Sequence, residues 1–109
     1  MKLLGLLPDN LIEYISVKIH GDSMFPSFSD GDTVVFKTID NAIVLVGDIV
    51  LAIHPFKKKI NIVKRVTKIN SCDEYFLEGD NEITSASSDS RSFGYISKKD
   101  IIAILKDII

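Results

Sequence analysis

Apolar and polar residues alternate along much of this chain. Ile15, Val17 and Ile19 interleave with Ser16, Lys18 and His20, and a period of two marks a strand with one buried face. Thr33-Val34-Val35-Phe36 and Asp48-Ile49-Val50-Leu51-Ala52-Ile53 are rich in β-branched residues and read as a second and third strand. A longer segment from Lys59 to Ile69 and a short one, Glu74-Tyr75-Phe76-Leu77-Glu78, add two more. Phe93-Gly94-Tyr95-Ile96 fits a further strand. Ser97 and Asp100 fit a brief capped turn before Ile101-Ile102-Ala103-Ile104-Leu105, whose isoleucine content favours a strand over a short helix. Only the first dozen residues read as helical. The pattern predicts a mainly β fold, a compact barrel-like or two-sheet domain. Residues 1–109 are expected to form one domain, with 1–13 as a lead-in segment.

The pair Gly-Asp occurs at 21–22, 31–32, 47–48 and 79–80, each where a strand begins or ends. Glycine supplies backbone freedom and aspartate bonds nearby amides. Well-formed turns account for at least two of the four pairs.

Composition narrows the function. With 46% hydrophobic and 26% charged residues in 109, the chain can bury a core without a disulfide framework. Its single cysteine, Cys72, cannot pair within the chain and reads as an ordinary thiol at a strand boundary, which fits a reducing, cytoplasmic setting. A net charge of −2 excludes a wholesale electrostatic trap for nucleic acid. One basic cluster, Lys57-Lys58-Lys59 with Lys64, Arg65 and Lys68, is compatible with a solvated face or with an anionic surface. No apolar run approaches the roughly 20 residues of a membrane span. Leu3-Leu4-Gly5-Leu6-Leu7 is compatible with packing across the core or with peripheral contact at a membrane.

The loop Gly21-Asp22-Ser23-Met24-Phe25-Pro26 directly follows a strand. A nucleophilic serine wants a fixed backbone, an exposed hydroxyl and amide N–H groups able to hold an oxyanion. Met24 and Phe25 are apolar where turn residues are usually polar, so they either shape a substrate groove or anchor the loop. His20 and His54 are poor bases for Ser23, because no buried orienting carboxylate is evident for either. Lys64 is better placed. Ile60, Ile62, Lys64 and Val66 share one face of their strand, while Asn61, Val63, Arg65 and Thr67 share the other. A lysine desolvated among isoleucine and valine loses its charge more readily and becomes able to accept a serine proton.

Four blocks in order resemble the signal peptidase I-like Ser/Lys-dyad proteases and their LexA-like relatives. They are Gly21-Asp22-Ser23-Met24-Phe25-Pro26-Ser27, Gly31-Asp32-Thr33-Val34, the stretch from Gly47-Asp48-Ile49-Val50 to Val63-Lys64-Arg65-Val66, and Gly79-Asp80-Asn81 with Ser87-Ser88-Asp89-Ser90-Arg91 and Gly94. The resemblance implies a serine endopeptidase with Ser23 as nucleophile, Lys64 as general base and the Ser23 amide at the oxyanion. It implies that Ser87 orients the lysine, with Ser85 and Ser88 as alternative registers, and that Asp89 and Arg91 are structural. No cofactor or metal is implied. The expected partner is a precursor protein bound as an extended peptide, with no nucleic acid. The chain shows neither a membrane anchor nor the inserted domain of the larger signal peptidases. It therefore resembles most the maturation proteases that remove the N-terminal extension of nickel-type superoxide dismutase. Signal-peptidase-like processing of secretory precursors and an inactive peptide-binding β module are the alternatives. A self-cleaving repressor needs a DNA-binding domain, and only 22 residues precede Ser23.

Overall fold

A computed structural model describes residues 13–39, 43–83 and 88–105. The strands are β1 (Tyr14–Lys18), β2 (Thr33–Thr38), β3 (Ile49–Ile53), β4 (Asn61–Ile69), β5 (Glu74–Glu78), β6 (Ile96–Ser97) and β7 (Ile101–Ile104). The mainly β expectation is met, and the architecture is one continuous antiparallel sheet of order β1-β2-β7-β3-β4-β5-β6. The helical expectation for the first dozen residues lies outside the described residues.

A single sheet serves here as two layers because it is buried on both faces at its centre. In β3, Val50 and Ala52 join one apolar cluster with Val66, Tyr75, Leu77 and Ile96 from the β4–β6 side. The alternate residues Ile49 and Leu51 join a second cluster with Ile19, Met24, Val34 and Phe36 from the β1–β2 side. Alternation of side chains across a strand makes this division unavoidable. It also explains why β3 reads as an uninterrupted apolar run: both of its faces are covered. β7, inserted between β2 and β3, does the same, with Ile101 and Ile104 in the first cluster and Ala103 in the second. Register shifts between Leu51 and Ala52, and between Val66 and Lys68, mark irregularities where the sheet bends.

One expectation fails. The stretch 93–96 is not a strand: Ser90–Phe93 forms a short helix, α1, and only Ile96–Ser97 pairs with β5. The Asp89 carboxylate accepts the Arg91 N–H at the helix start, and Gly94 ends the turn by donating its own N–H to the Ser90 carbonyl. The turn expected before the last strand is present as a 3₁₀ turn over Lys98–Asp100, with Ser97 at its N-cap.

Two of the Gly-Asp pairs are built to the same plan. At one, the Gly31 N–H donates to the Ile19 carbonyl, and the Ile19 N–H donates to the Asp32 carbonyl. At the other, the Gly47 N–H donates to the Val66 carbonyl, and the Val66 N–H donates to the Asp48 carbonyl. In each turn the aspartate carboxylate accepts an amide three residues back, from Ser29 at 2.8 Å and from Leu45 at 2.9 Å. Both glycines have positive φ, +92° and +100°, which a side chain would strain. The pinned residues matter for position: Ile19 lies four residues before Ser23, and Val66 lies two after Lys64.

Candidate active site

Ser23 stands in the turn that follows β1. The Phe25 N–H donates to the Asp22 carbonyl and the Phe28 N–H to the Met24 carbonyl, winding the segment into a compact loop that contains a cis Phe25–Pro26 peptide. Met24 is the plug of this loop, only 1% exposed and packed in the β1–β2 cluster. Phe25 points the other way and is half exposed.

Lys64 occupies the position its strand period predicts. It is 4% exposed on the same face as Val66, which is wholly buried, and it pairs across the sheet with Val50. Lys64 Nζ donates to Ser23 Oγ at 2.8 Å and reaches Ser88 Oγ at 3.3 Å. Among the described residues no carboxylate lies within salt-bridge range of the amine. Desolvation therefore holds the Lys64 pKa below its ordinary 10.5; Asp89 opposes the shift at a distance and Arg91 adds to it.

The expected orienting residue, Ser87, lies outside the described residues, as does Ser85. Ser88, the third register considered, is the described serine that meets the amine. Asp89 and Arg91 form the structural pair expected of them, 2.7 Å apart. Asp89 is fully buried. That burial on its own would raise its pKa, yet hydrogen bonds from the Arg91 side chain and the Gly79 and Arg91 amides bring it below the ordinary carboxylate value.

A clamp holds the Ser23 loop in place. Asp80 receives Arg65 Nε at 2.8 Å and Arg65 Nη2 at 2.9 Å, and it also accepts the Ser27 hydroxyl. These bonds, the Arg65 fork foremost, hold the Asp80 carboxyl below its usual range. The next residue, Asn81, donates its backbone N–H to the Ser23 carbonyl at 2.9 Å and its side-chain amide to the Asp22 carbonyl at 3.0 Å. The turn after β5 thus grips the Ser23 loop on one side and β4 on the other. The available signal was charge complementarity between the block holding Arg65 and the block holding Asp80. Nothing local announces that the two meet.

A groove of about 640 Å³ runs past the pair. One wall is β1 with the residues after it, from Ile15 to Met24, and the other is Asn61 to Lys64 of β4. Of the two residues expected to shape the groove, Met24 borders it from an almost wholly buried position and Phe25 is not part of the lining. β1 is the first strand of the sheet, and β4 pairs with β5 only from Arg65 onward. Both walls therefore present strand edges. His20 lines the groove, while His54 is committed to the β3–β4 turn, where its Nδ1 accepts the Phe56 and Lys57 amides at 3.1 Å each. Cys72 is exposed in the β4–β5 turn.

The decisive comparison covers this whole arrangement: the model of the Peptidase S24-like family matches residues 7–104. The chain belongs to that family. Peptidase S24-like proteins are peptidases, so membership makes a peptide-bond hydrolase with a protein substrate the functional class of this chain. No curated protein matches it. Among the described residues, no helix is long and apolar enough to cross a membrane.

Proposed function

We propose that this protein is a serine endopeptidase in which Ser23 is the nucleophile and Lys64 the general base. The observation that carries the proposal is a desolvated amine 2.8 Å from a serine hydroxyl at the edge of a groove. With its pKa lowered by burial, Lys64 can be neutral and accept the Ser23 proton as Oγ attacks the scissile carbonyl carbon. Negative charge then collects on the carbonyl oxygen, for which the block resemblance offers the Ser23 backbone N–H as donor. The Lys64 ammonium returns its proton to the departing amine, leaving an ester on Ser23. Water attacks that ester with Lys64 again as base, releasing the new C-terminus and restoring the serine. Ser88 limits the rotation of the amine, keeping one lone pair on Ser23.

The groove supports an extended substrate. A peptide laid between the β1 edge and the Asn61–Lys64 edge would find backbone partners on both sides and carry its scissile bond to Ser23. For the substrate we favour a precursor with a removable N-terminal extension, and the block resemblance points to nickel-type superoxide dismutase, processed in the cytoplasm.

The test is incubation with that precursor, with the new N-terminus read by mass spectrometry. The wild-type chain should cut one bond, and Ser23→Ala and Lys64→Ala should each lose about a thousandfold or more. Full activity in Lys64→Ala would sink the dyad. Cleavage of secretory precursors in place of this one would keep the chemistry and change the substrate. Binding without cleavage by the wild-type chain would mean an inactive peptide-binding module.

A further inference from the structure

The turn joining β3 to β4 carries Phe56, Lys57, Lys58, Lys59 and Ile60, and all five are exposed. Phe56 is 75% and Ile60 47% exposed, so an aromatic ring and an aliphatic side chain bracket three cations at the tip of a hairpin. The chain as a whole is net negative, at −2, which makes this local charge of opposite sign stand apart. The tip is also preorganised. His54 Nδ1 holds the Phe56 and Lys57 amides, the His54 N–H donates to the Ile60 carbonyl, and the Ile60 N–H donates to the Lys57 carbonyl. The Phe56 ring meets Phe93 edge-on at 6.4 Å between centroids, which steadies its base without covering it.

We infer that this hairpin tip docks the protein on an anionic membrane surface. An exposed aromatic residue beside lysines at a convex tip suits a bilayer interface, where the ring enters the headgroup region and the ammonium groups meet lipid phosphates. Duplex DNA, contacted through its phosphates, would reward the lysines but leave Phe56 and Ile60 with no apolar partner, whereas a lipid interface engages all five residues. Each lysine close to an anionic surface strengthens partitioning roughly fivefold, so three contribute on the order of a hundredfold. Asn61 and Ile62 follow the tip directly and line the groove, so a docked tip brings the groove to the membrane plane. This inference does not depend on the chemistry at Ser23.

The test is co-sedimentation of the Ser23→Ala chain with vesicles of phosphatidylcholine alone or mixed with phosphatidylglycerol. The Ser23→Ala chain should bind the mixed vesicles, and high salt should release it. The combined Lys57→Gln, Lys58→Gln, Lys59→Gln variant should fall about a hundredfold, to the level seen on phosphatidylcholine alone. Phe56→Ser should weaken binding several-fold while circular dichroism stays unchanged. Equal binding to both vesicle types, no binding to either, or undiminished binding by the triple variant would overturn the inference. So would binding to duplex DNA or polyglutamate-competed sites that ignores Phe56→Ser, because that pattern belongs to a simple polyelectrolyte contact.

Discussion

Lys64 and Arg65 are neighbours on β4 with opposite electrostatic surroundings. Lys64 turns into the sheet, meets two serine hydroxyls and has its pKa lowered by desolvation. Arg65 turns to the other face, forks onto Asp80 and has its pKa raised by that carboxylate. Charge on a side chain follows from what faces it. A buried amine with no carboxylate in range loses its proton more readily, which suits the base proposed here, and a half-exposed guanidinium forked onto a carboxylate becomes a strut. One strand, through its alternation, supplies both within two successive residues.

The severest way to break the contrast is to make position 64 behave like position 65. Lys64→Arg puts a permanent cation where a neutral amine is required, and precursor cleavage should drop about a thousandfold or more. Lys64→Met should lose activity equally but gain about 1 kcal/mol in urea denaturation, because the desolvated amine is gone. The pH dependence carries the same signature. A folded-state pKa below the unfolded value of about 10.4 means the unfolded chain binds the proton more readily. The stability advantage of Lys64→Met over the wild type should thus be constant below the folded pKa and shrink as pH rises from there towards the unfolded one. Cleavage by the wild-type chain should fall as pH is lowered through the folded value.

Removing the carboxylate tests the other face. Asp80→Ala strips acceptors from Arg65 and Ser27 together, and should cost about 2 kcal/mol in denaturation. Cleavage should fall roughly tenfold or more through loss of alignment at Ser23, with Lys64 itself untouched. The mildest changes probe the twin turns that pin both strands. Apart from the adjoining residues, nothing stands within 4 Å of where a Cβ would sit at Gly31 or Gly47, so Gly31→Ala and Gly47→Ala should register backbone strain alone. Each should cost about 1 kcal/mol, and the two midpoints should shift alike.

The strands were legible because alternation is local: the expected segments around Ile15, Val34, Val50, Val63 and Phe76 all lie in strands. Position 64 was legible for the same reason, since its neighbours at two-residue spacing declare the buried face. Ser23 needed the order of the four blocks as well. The Asp80 clamp was not legible, because Ser27 and Asp80 are 53 residues apart and neither has a local signature of the other. The short helix α1 has no signal in the sequence because four residues carry no periodicity, although Asp89 is a good N-cap residue. Sequence alone does not choose among Ser85, Ser87 and Ser88, because the stretch between Asn81 and Asp89 has no periodicity to fix its register, and Ser88 is the described one in contact with the amine.

The place of β7 has a consequence for when this protein can act. Ser23 follows the β1–β2 half of the sheet and Lys64 lies in the β3–β6 half, and β7 is the strand joining them. Both residues precede β7 in the chain, and the two parts of the sheet that carry them share no direct ladder. Until β7 is in place, the described residues hold the Ser23 loop against β4 only through side-chain packing and the Asp80–Asn81 clamp, so the proposed dyad should be loosest in a chain that stops short of β7. A chain cut before residue 101 keeps Ser23, Lys64 and Ser88 and should still cleave far more slowly than the full one.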